Sequence, residues 1–335
     1  MASIKQFLER RNNIAAIVGF VRSRGKATRM EISSALSLSW ACVSDLVSLL
    51  LDDEILKESS EKNTSDARGR TPTYLKLNDE KYFLGVDIND SGIAITLLSL
   101  GGAKLSSKKW ESKFFSDEES LADAVCEKIE SVIERKGACL GIGVAMEGMR
   151  ISDGAWGYPT ESGSFAFYPD RIIEKRFGLP VFVRHDPECM LYAVAESLDL
   201  DCMALRVDTG VGVAAMKQGK IMELPLELGN VFIDGERLRK HVFDCTALKK
   251  RSFGDARLGE KLGYAAANLA MLLDLKKVYI VGEVIEWFDE IAEEFGTAFS
   301  KVKRGIEFEV SGISDASEGA AKVAMAEYPI LRRAE

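Results

Sequence analysis

The sequence predicts a mixed α/β protein in two parts, a small N-terminal module followed by a larger body. Two observations support this division. Residues 14–50 show the apolar spacing of successive helices, and residues 55–58 and 73–77 then alternate as short strands do. Beyond residue 79, apolar strand-like segments and apolar helices follow one another, which is typical of an α/β domain.

Composition limits the classes of protein to which the chain can belong. Hydrophobic residues make up 47% and charged residues 29% of its 335 residues, which predicts a globular protein. No apolar run approaches the roughly 18 residues of a membrane helix, and the charged N-terminal sequence lacks the apolar core of a signal peptide. We therefore expect a cytoplasmic protein without a membrane partner.

The cysteines and histidines argue against a metal site. The six cysteines are scattered without a CxxC pair, and neither His185 nor His241 has cysteines at ligand spacing. In a reducing compartment, such cysteines are expected to be free thiols. The sequence thus predicts no bound metal.

The charge is unevenly distributed along the chain. The formal net charge is −8, yet residues 1–30 carry seven Lys or Arg residues against Glu9 as the one acid. A basic N-terminal segment followed by an acidic body is typical of a small DNA-binding domain attached to a larger domain that does not contact the DNA.

The N-terminal module begins with an amphipathic helix and a capped second helix. Gly25 ends the first helix, and Thr28 with Glu31 forms the capping-box pattern T-x-x-E at the start of a second helix over Arg29–Leu36. The apolar face of the first helix is formed by Ile14, Ile17, Val18 and Val21.

A third helix completes a helix-turn-helix pattern. Residues 37–39 form a tight turn, and Ser39 caps a helix whose inward residues are Val43, Leu46, Val47 and Leu50. A polar segment between the two predicted strands then forms a wing with the tip Arg68-Gly69-Arg70. The alternative is a three-helix packing module with a charged loop. The predicted DNA-contacting residues are Thr28, Arg29, Ser39, Trp40, Ala41, Ser44, Arg68, Gly69 and Arg70.

The whole chain resembles the ROK family of repressors and sugar kinases, in its xylose-repressor-like branch. The matching segments of the module are Thr28–Ile32, Leu38–Ser39, Val43–Ser44, Gly69–Pro72 and Leu75–Asn78. The resemblance implies a winged helix-turn-helix followed by a two-lobed, actin-like ATPase or sugar-kinase-type (ribonuclease H-like) domain. It also implies a homodimer, which would place two recognition helices on a two-fold operator.

The nucleotide site of the family's kinases is altered at three places. The segment that resembles their first phosphate loop, D-x-G-G-T, has Asn89 and Asp90 in place of the glycine pair. Asp208 replaces the first glycine of the second loop, and Glu283 replaces a glycine near the nucleotide base. Carboxylates beside a triphosphate repel it by about 4 kcal/mol per charge. We therefore expect no phosphotransfer and no nucleotide cofactor.

The sugar side of the body resembles the family more closely. Asp186 matches the aspartate that serves as general base in the kinases, with His185 in place of the usual asparagine. The alternative for Asp186 is a helix N-cap. Glu227 resembles a sugar-binding glutamate, whereas Asn230 replaces a zinc-binding histidine and the cysteine cluster that should follow it is missing. The predicted ligand-binding residues are Thr160, His185, Asp186, Glu227 and Asn230.

These features predict a transcriptional regulator, expected to be a repressor of carbohydrate metabolism, that binds a double-stranded operator. Its predicted limits are 1–78 for the winged helix, 79–190 with 313–335 for the first lobe, and 191–312 for the second. A sugar kinase with an appended DNA-binding head is the alternative function. A repressor without any small-molecule effector stays open as a third possibility.

Overall fold

The computed structural model describes residues 2–59, 73–89, 92–111, 115–133, 138–151, 154–160, 163–195, 201–223, 227–246, 257–302 and 305–328. Side chains are described from residue 9 onward, except at residues 149 and 246. Within these ranges, no helix combines the length and the apolar character that crossing a membrane requires.

The N-terminal module consists of three helices and a three-stranded antiparallel sheet in the order β1-β3-β2. The capping box of Thr28 and Glu31 starts the second helix, and Ser39 accepts a hydrogen bond from the Cys42 N–H at the start of the third. The predicted wing tip lies outside the described residues. The elements are α1 (Ala2–Arg24), β1 (Ala27–Thr28), α2 (Arg29–Leu36), α3 (Trp40–Asp52), β2 (Leu56–Ser59) and β3 (Tyr74–Leu77).

The first half of the body is built on a five-stranded sheet in the order β11-β7-β4-β5-β6. Strands β4, β5 and β6 are antiparallel neighbours, whereas β7 and β11 continue the sheet in parallel. The elements are β4 (Tyr82–Asn89), β5 (Gly92–Ser99), β6 (Lys104–Glu111), α4 (Glu118–Glu130), β7 (Cys139–Met146), β8 (Met149–Arg150), β9 (Trp156–Thr160), β10 (Gly163–Phe167), α5 (Pro169–Phe177), β11 (Val181–His185) and α6 (Asp186–Val194).

The second half repeats this topology with the order β14-β13-β12-β17-β18. Strands β12, β13 and β14 are again antiparallel, and β17 and β18 again run parallel to the first strand. The elements are β12 (Cys202–Val207), β13 (Val211–Lys217), β14 (Lys220–Ile221), β15 (Phe232–Ile233), β16 (Glu236–Arg237), α7 (Leu238–Thr246), α8 (Leu258–Leu272), β17 (Lys277–Val281), α9 (Ala292–Val302) and β18 (Glu307–Val310). Helix α10 (Ser317–Glu327) follows and packs on the first sheet.

Helices α6 and α10 pack together between the two sheets. The carbonyl oxygen of Cys189 lies where a Cβ atom on Gly319 would be, so only glycine allows this approach. Their contact joins a core of small and medium side chains from both halves, including Ala204, Ala214 and Ala320. The predicted lobe limit at residues 190 and 191 falls inside α6. The domain limits therefore stay a prediction.

The start of α6 differs from the N-cap interpretation of Asp186. His185 is the N-cap residue, and α6 begins at Asp186 and ends at Val194. Pro187 fits the first turn because the N–H groups there have no intrahelical partner.

The N-terminal module packs directly on the body. Side chains of its core, such as Ile17 and Leu50, belong to one apolar cluster with Phe83, Leu98 and Ala321 of the body. The guanidinium of Arg22 also donates a hydrogen bond to the Leu100 carbonyl oxygen at 3.2 Å. The module and the first sheet thus share a continuous core.

Candidate functional site

A cleft of about 290 Å³ lies between the two sheets of the body. Its walls come from the carboxyl ends of β7, β11 and β12 and from the turn before β13. Ligands of α/β proteins bind at the carboxyl ends of strands, so the topology places this cleft at the expected edge. Among its polar lining residues are Glu147, His185, Asp186, Arg206, Asp208 and Glu227.

Arg206 is the one Lys or Arg among the described residues that line the cleft. Its guanidinium pairs with the carboxylate of Asp186, and its Nε lies 2.5 Å from Asp208 Oδ2. The side chain of Asp186 is 2% exposed and that of Arg206 is 14% exposed. Asp186 begins α6, whereas Arg206 lies on β12 and Asp208 directly follows it, so the Arg206–Asp186 pair joins the two halves.

Asp208 requires a correction to the charge argument from the sequence. From the sequence alone, its carboxylate is expected to be an unbalanced negative charge beside a bound phosphate. In the structure, Arg206 pairs with that carboxylate, and the backbone N–H of Glu283 donates to it at 2.5 Å. A nucleotide would therefore meet an internal ion pair at this position.

Asp87 lies buried at the end of β4 and adds a further acid near the cleft. Its Oδ2 accepts hydrogen bonds from the Ala316 N–H at 3.0 Å and from the Asn89 side chain at 3.1 Å. Burial raises the pKa of Asp87 to about 6, although the backbone donor and Arg206 act in the opposite direction. Part of the population thus holds a neutral carboxyl group here near neutral pH.

His185 is held between an aromatic ring and a carboxylate. Its ring stacks on Trp156 with centroids 6.2 Å apart, and its Nε2 lies 3.3 Å from Asp186 Oδ1. Burial, assisted by the charge of Arg206, lowers the pKa of His185 to about 4. The imidazole is therefore neutral at neutral pH and can donate or accept a hydrogen bond in the cleft.

The predicted ligand-binding residues are only partly brought together. His185, Asp186 and Glu227 line the cleft. Asn230 is exposed and donates to Glu227 Oε2 at 3.3 Å, so it supports that carboxylate from outside the lining. Thr160 ends β9 next to Pro159, and of these two Pro159 lines the cleft. Asp186 is the first helical residue, with His185 at the N-cap position.

Sequence reasoning missed Arg206 and Glu147. Arg206 interrupts the apolar strand Cys202–Val207, and a charge in a buried strand indicates a nearby partner. Glu147 directly follows the buried strand β7, which is a position where parallel sheets carry functional groups. Across the described part of the chain, no group of three or more His, Cys, Asp or Glu residues could hold a metal ion.

A second surface of interest lies on the N-terminal module. Ser39, Trp40 and Ala41 are exposed at the start of α3, and Ser44 is half-buried one turn later. Arg29 is half-buried and lies 3.6 Å from Glu58. Thr28 is buried, and its hydroxyl and backbone N–H both serve the capping box, so it positions α2. The predicted contacts Arg68, Gly69 and Arg70 lie outside the described residues.

The comparisons with known sequences found regulators. The chain is 23% identical over 255 residues to the DNA-binding transcriptional dual regulator NagC of Escherichia coli, and equally to the N-acetylglucosamine repressor of Shigella flexneri. The match covers 70% of this chain but only 61% of the length of those proteins. No family model matches the chain.

The comparisons with solved structures define the class of fold. A ROK family transcriptional regulator, a homolog of the E. coli MLC protein, matches with a TM-score of 0.75 and 18% identity over 96% of this chain and 97% of its own. A ROK family glucokinase from Streptomyces griseus matches with a TM-score of 0.56 and 17% identity over 72% of this chain and 98% of its own. The body thus has the two-lobed fold of actin-like sugar kinases. The resemblance to the ROK family that the sequence predicted is confirmed.

Proposed function

We propose that this chain is a sequence-specific DNA-binding transcriptional regulator whose body responds to a small molecule. The pair of helices α2 and α3 carries the proposal. They are joined by a turn of three residues, and α3 turns its apolar face inward and its polar N-terminal face to solvent. A recognition helix enters the major groove in this arrangement, with its first residues toward the bases.

The surroundings of α3 support this assignment. Arg10, Arg11, Arg24 and Lys26 are exposed on α1 and at its end, where they can reach phosphates. The extent of the structural matches also supports it. The regulator aligns with nearly the whole chain, whereas the kinase aligns with about three quarters of it. We infer a winged helix-turn-helix domain over residues 1–78.

We infer that the cleft binds a small hydroxyl-rich effector without transforming it. Carboxylates of Glu147 and Glu227 and the neutral imidazole of His185 can accept or share hydrogen bonds with hydroxyl groups. Arg206 already pairs with Asp186, the residue that resembles the kinases' general base. A carboxylate held by a guanidinium is a poor base, which favours binding over phosphotransfer.

Helix α10 connects the cleft with the DNA-binding module. Its first turn lies beside Asp87, whose pKa is affected by Arg206 of the cleft. The Ala316 N–H donates to Asp87, and the Ser317 hydroxyl contacts Thr96 at 2.8 Å. Its last turns pack on the core shared with the module through Ala321 and Ala324. An effector that changes the angle between the halves would therefore shift the surface on which the module rests. A coupling of about 1–3 kcal/mol makes a useful switch.

Selection from duplexes with about 20 random base pairs tests the proposed function. The full chain should enrich a defined sequence, and Ser44→Ala and Arg70→Ala should weaken binding to it. Loss of a phosphate contact at Arg70 should also flatten the salt dependence of log Kd by about one unit. Lys220→Ala, which removes an exposed charge from β14, is the matched control. A chain that enriches no duplex even at low salt is not a DNA-binding regulator.

The alternative, a sugar kinase with an appended head, is favoured by one observation. Asp186 lies at the carboxyl end of β11, the position at which a kinase of this fold would hold a general base. Sugar-dependent release of ADP from ATP by the purified chain would establish this alternative.

A further inference from the structure

The exposed face of α3 contains no positive charge. The helix has the sequence WACVSDLVSLLLD, without a Lys or Arg, and its buried side chains fix which face is turned to solvent. The exposed positions of α3 are Trp40, Ala41, Asp45, Ser48 and Asp52, with Ser44 half-buried among them. This face combines a large aromatic side chain with small polar groups and two carboxylates.

The described Lys and Arg residues of the module lie on other elements, and several of them have local partners. Arg29 lies 3.6 Å from Glu58. Arg22 donates to the Leu100 carbonyl oxygen, and its burial lowers its pKa. Arg24 and Lys26 are exposed, but they lie at the end of α1 and in the following turn. Among the described residues of the module, the positive charges therefore lie outside α3.

Trp40 is the large exposed side chain of this face. It is the first helical residue after the Ser39 cap, and 58% of its surface is accessible. Tryptophan side chains are on average highly buried, so one this exposed indicates a surface that contacts a binding partner. Val43 and Val47 follow at i+3 and i+7 on the same side of the helix and are buried, whereas Trp40 in the first turn extends beyond the module's core.

The edges of the bases in the major groove differ in the side-chain groups that they can contact. Guanine offers two acceptors that pair with an arginine or lysine, thymine offers a methyl group to apolar contacts, and cytosine offers an amino group to a carboxylate. The face of α3 lacks the cation that guanine requires. It offers the aromatic surface of Trp40 and the carboxylate of Asp45, which guanine's acceptors would repel.

We propose that α3 reads pyrimidine edges in the major groove, with Trp40 packed on a thymine methyl group and Asp45 accepting from a cytosine amino group. The inference rests on the proposed DNA-binding function and names the base chemistry that the helix recognises. The exposed Lys and Arg residues of the module then contact phosphates and contribute no base preference.

The experiment uses the full chain and the sequence enriched from the random duplexes. Each thymine of that sequence is replaced in turn by deoxyuridine, which lacks only the methyl group, and affinity is measured by fluorescence anisotropy. At one or two positions of each half-site, the parent protein should lose about fourfold in affinity, the value of one buried methyl-sized group. Trp40→Ala should bind the thymine duplex more weakly and be insensitive to deoxyuridine at those positions.

Two further variants separate base contact from damage to the fold. Trp40→Arg should shift the preference at the same position from thymine to guanine, since arginine supplies the fork that guanine pairs with. Leu272→Ala, which truncates another exposed apolar side chain on α8, should leave affinity and base preference unchanged. The Trp40 variants should unfold at the same urea concentration as the parent because the side chain is exposed.

The outcomes distinguish this inference from the function on which it rests. An enriched sequence whose affinity is insensitive to every deoxyuridine substitution, or to Trp40→Ala, overturns the pyrimidine readout and leaves DNA binding intact. A consensus in which Trp40→Ala relaxes a guanine position also overturns it. Failure to enrich any duplex removes the proposed function together with the inference.

Discussion

Arg206 and Asp186 form an ion pair that connects the end of strand β12 in the second sheet to the first turn of helix α6, which follows β11 of the first sheet. Asp208 contacts the same guanidinium, so one cation serves two carboxylates. Because the pair is largely buried, each charge depends on the other for the solvation that it has lost. The two halves of the body are thereby held together at the floor of the cleft.

Arg206→Ala should destabilise the protein by about 3 kcal/mol, because it leaves the buried carboxylate of Asp186 without a cation. Urea unfolding monitored by tryptophan fluorescence measures the change. Arg184→Ala is the matched control. It removes a more exposed pair with Glu327, and its cost should stay at or below about 1 kcal/mol. Equal costs for the two variants would show that the cleft pair has no special role.

Asp87→Asn should change the pH dependence of stability. The folded-state pKa of Asp87 is about 6, above its ordinary value of 3.8. The contribution of its protonated form is therefore complete below pH 4 and is lost as the pH rises through 6, by about 3 kcal/mol. The neutral asparagine has no such loss, so the variant should gain on the parent between pH 4 and 6. Parallel urea-unfolding profiles for both proteins would contradict the assignment.

His185→Gln should change the pH dependence of stability in the opposite direction, over an overlapping range of pH. The folded-state pKa of His185 is lowered to about 4, so the neutral ring contributes stability above pH 6.5. That contribution is lost as the pH falls toward 4, because the unfolded chain takes up the proton first. The variant should therefore lose less stability than the parent on acidification. Because Asp87 and His185 act in opposite directions, the parent's own profile should be flatter than that of either variant.

Gly319→Ala should destabilise the protein by about 3 kcal/mol or more, although alanine is the better helix former by about 1 kcal/mol. A Cβ atom at this position would lie 1.6 Å from the Cys189 carbonyl oxygen. Gly312→Ala is the control, since no atom lies within 4 Å of its added Cβ. Thermal unfolding of the two variants gives the comparison. A stabilising effect of alanine at residue 319 would mean that α6 and α10 are further apart than described.

Magnesium-ATP should neither stabilise the protein nor be consumed. Arg206 and Asp208 form an ion pair where the second phosphate loop of a kinase would hold its nucleotide. A ligand present at 100 times its Kd raises the free energy of unfolding by about 2.7 kcal/mol, which thermal unfolding detects easily. Stabilisation by ATP together with sugar-dependent ADP release would favour the kinase alternative.

The N-terminal module was predictable because its signals are local. The Thr28–Glu31 capping box and the Ser39 cap mark helix starts within a few residues of the backbone groups that they satisfy. The burial of Val43 and Val47 follows from helical periodicity alone. The predicted bounds of α2 are therefore those found.

The cleft was less predictable because its contacts join distant segments. Asp186 could be found from the strand that precedes it, but its partner Arg206 lies 20 positions further along and in another sheet. No periodicity specifies such a pair. The lone charge within β12 indicated a partner without identifying it.

The placement of α10 has a consequence for the order in which the molecule assembles during synthesis. Gly85 and Gly143, on the central strands of the first sheet, are in contact with the backbone of this helix. The helix follows β18 in the chain, so it leaves the ribosome after every strand of both sheets. Until then, one face of the first sheet and part of the core beneath the N-terminal module remain uncovered. During synthesis, the half of the body that is made first should therefore be the part that depends on chaperones for the longest time.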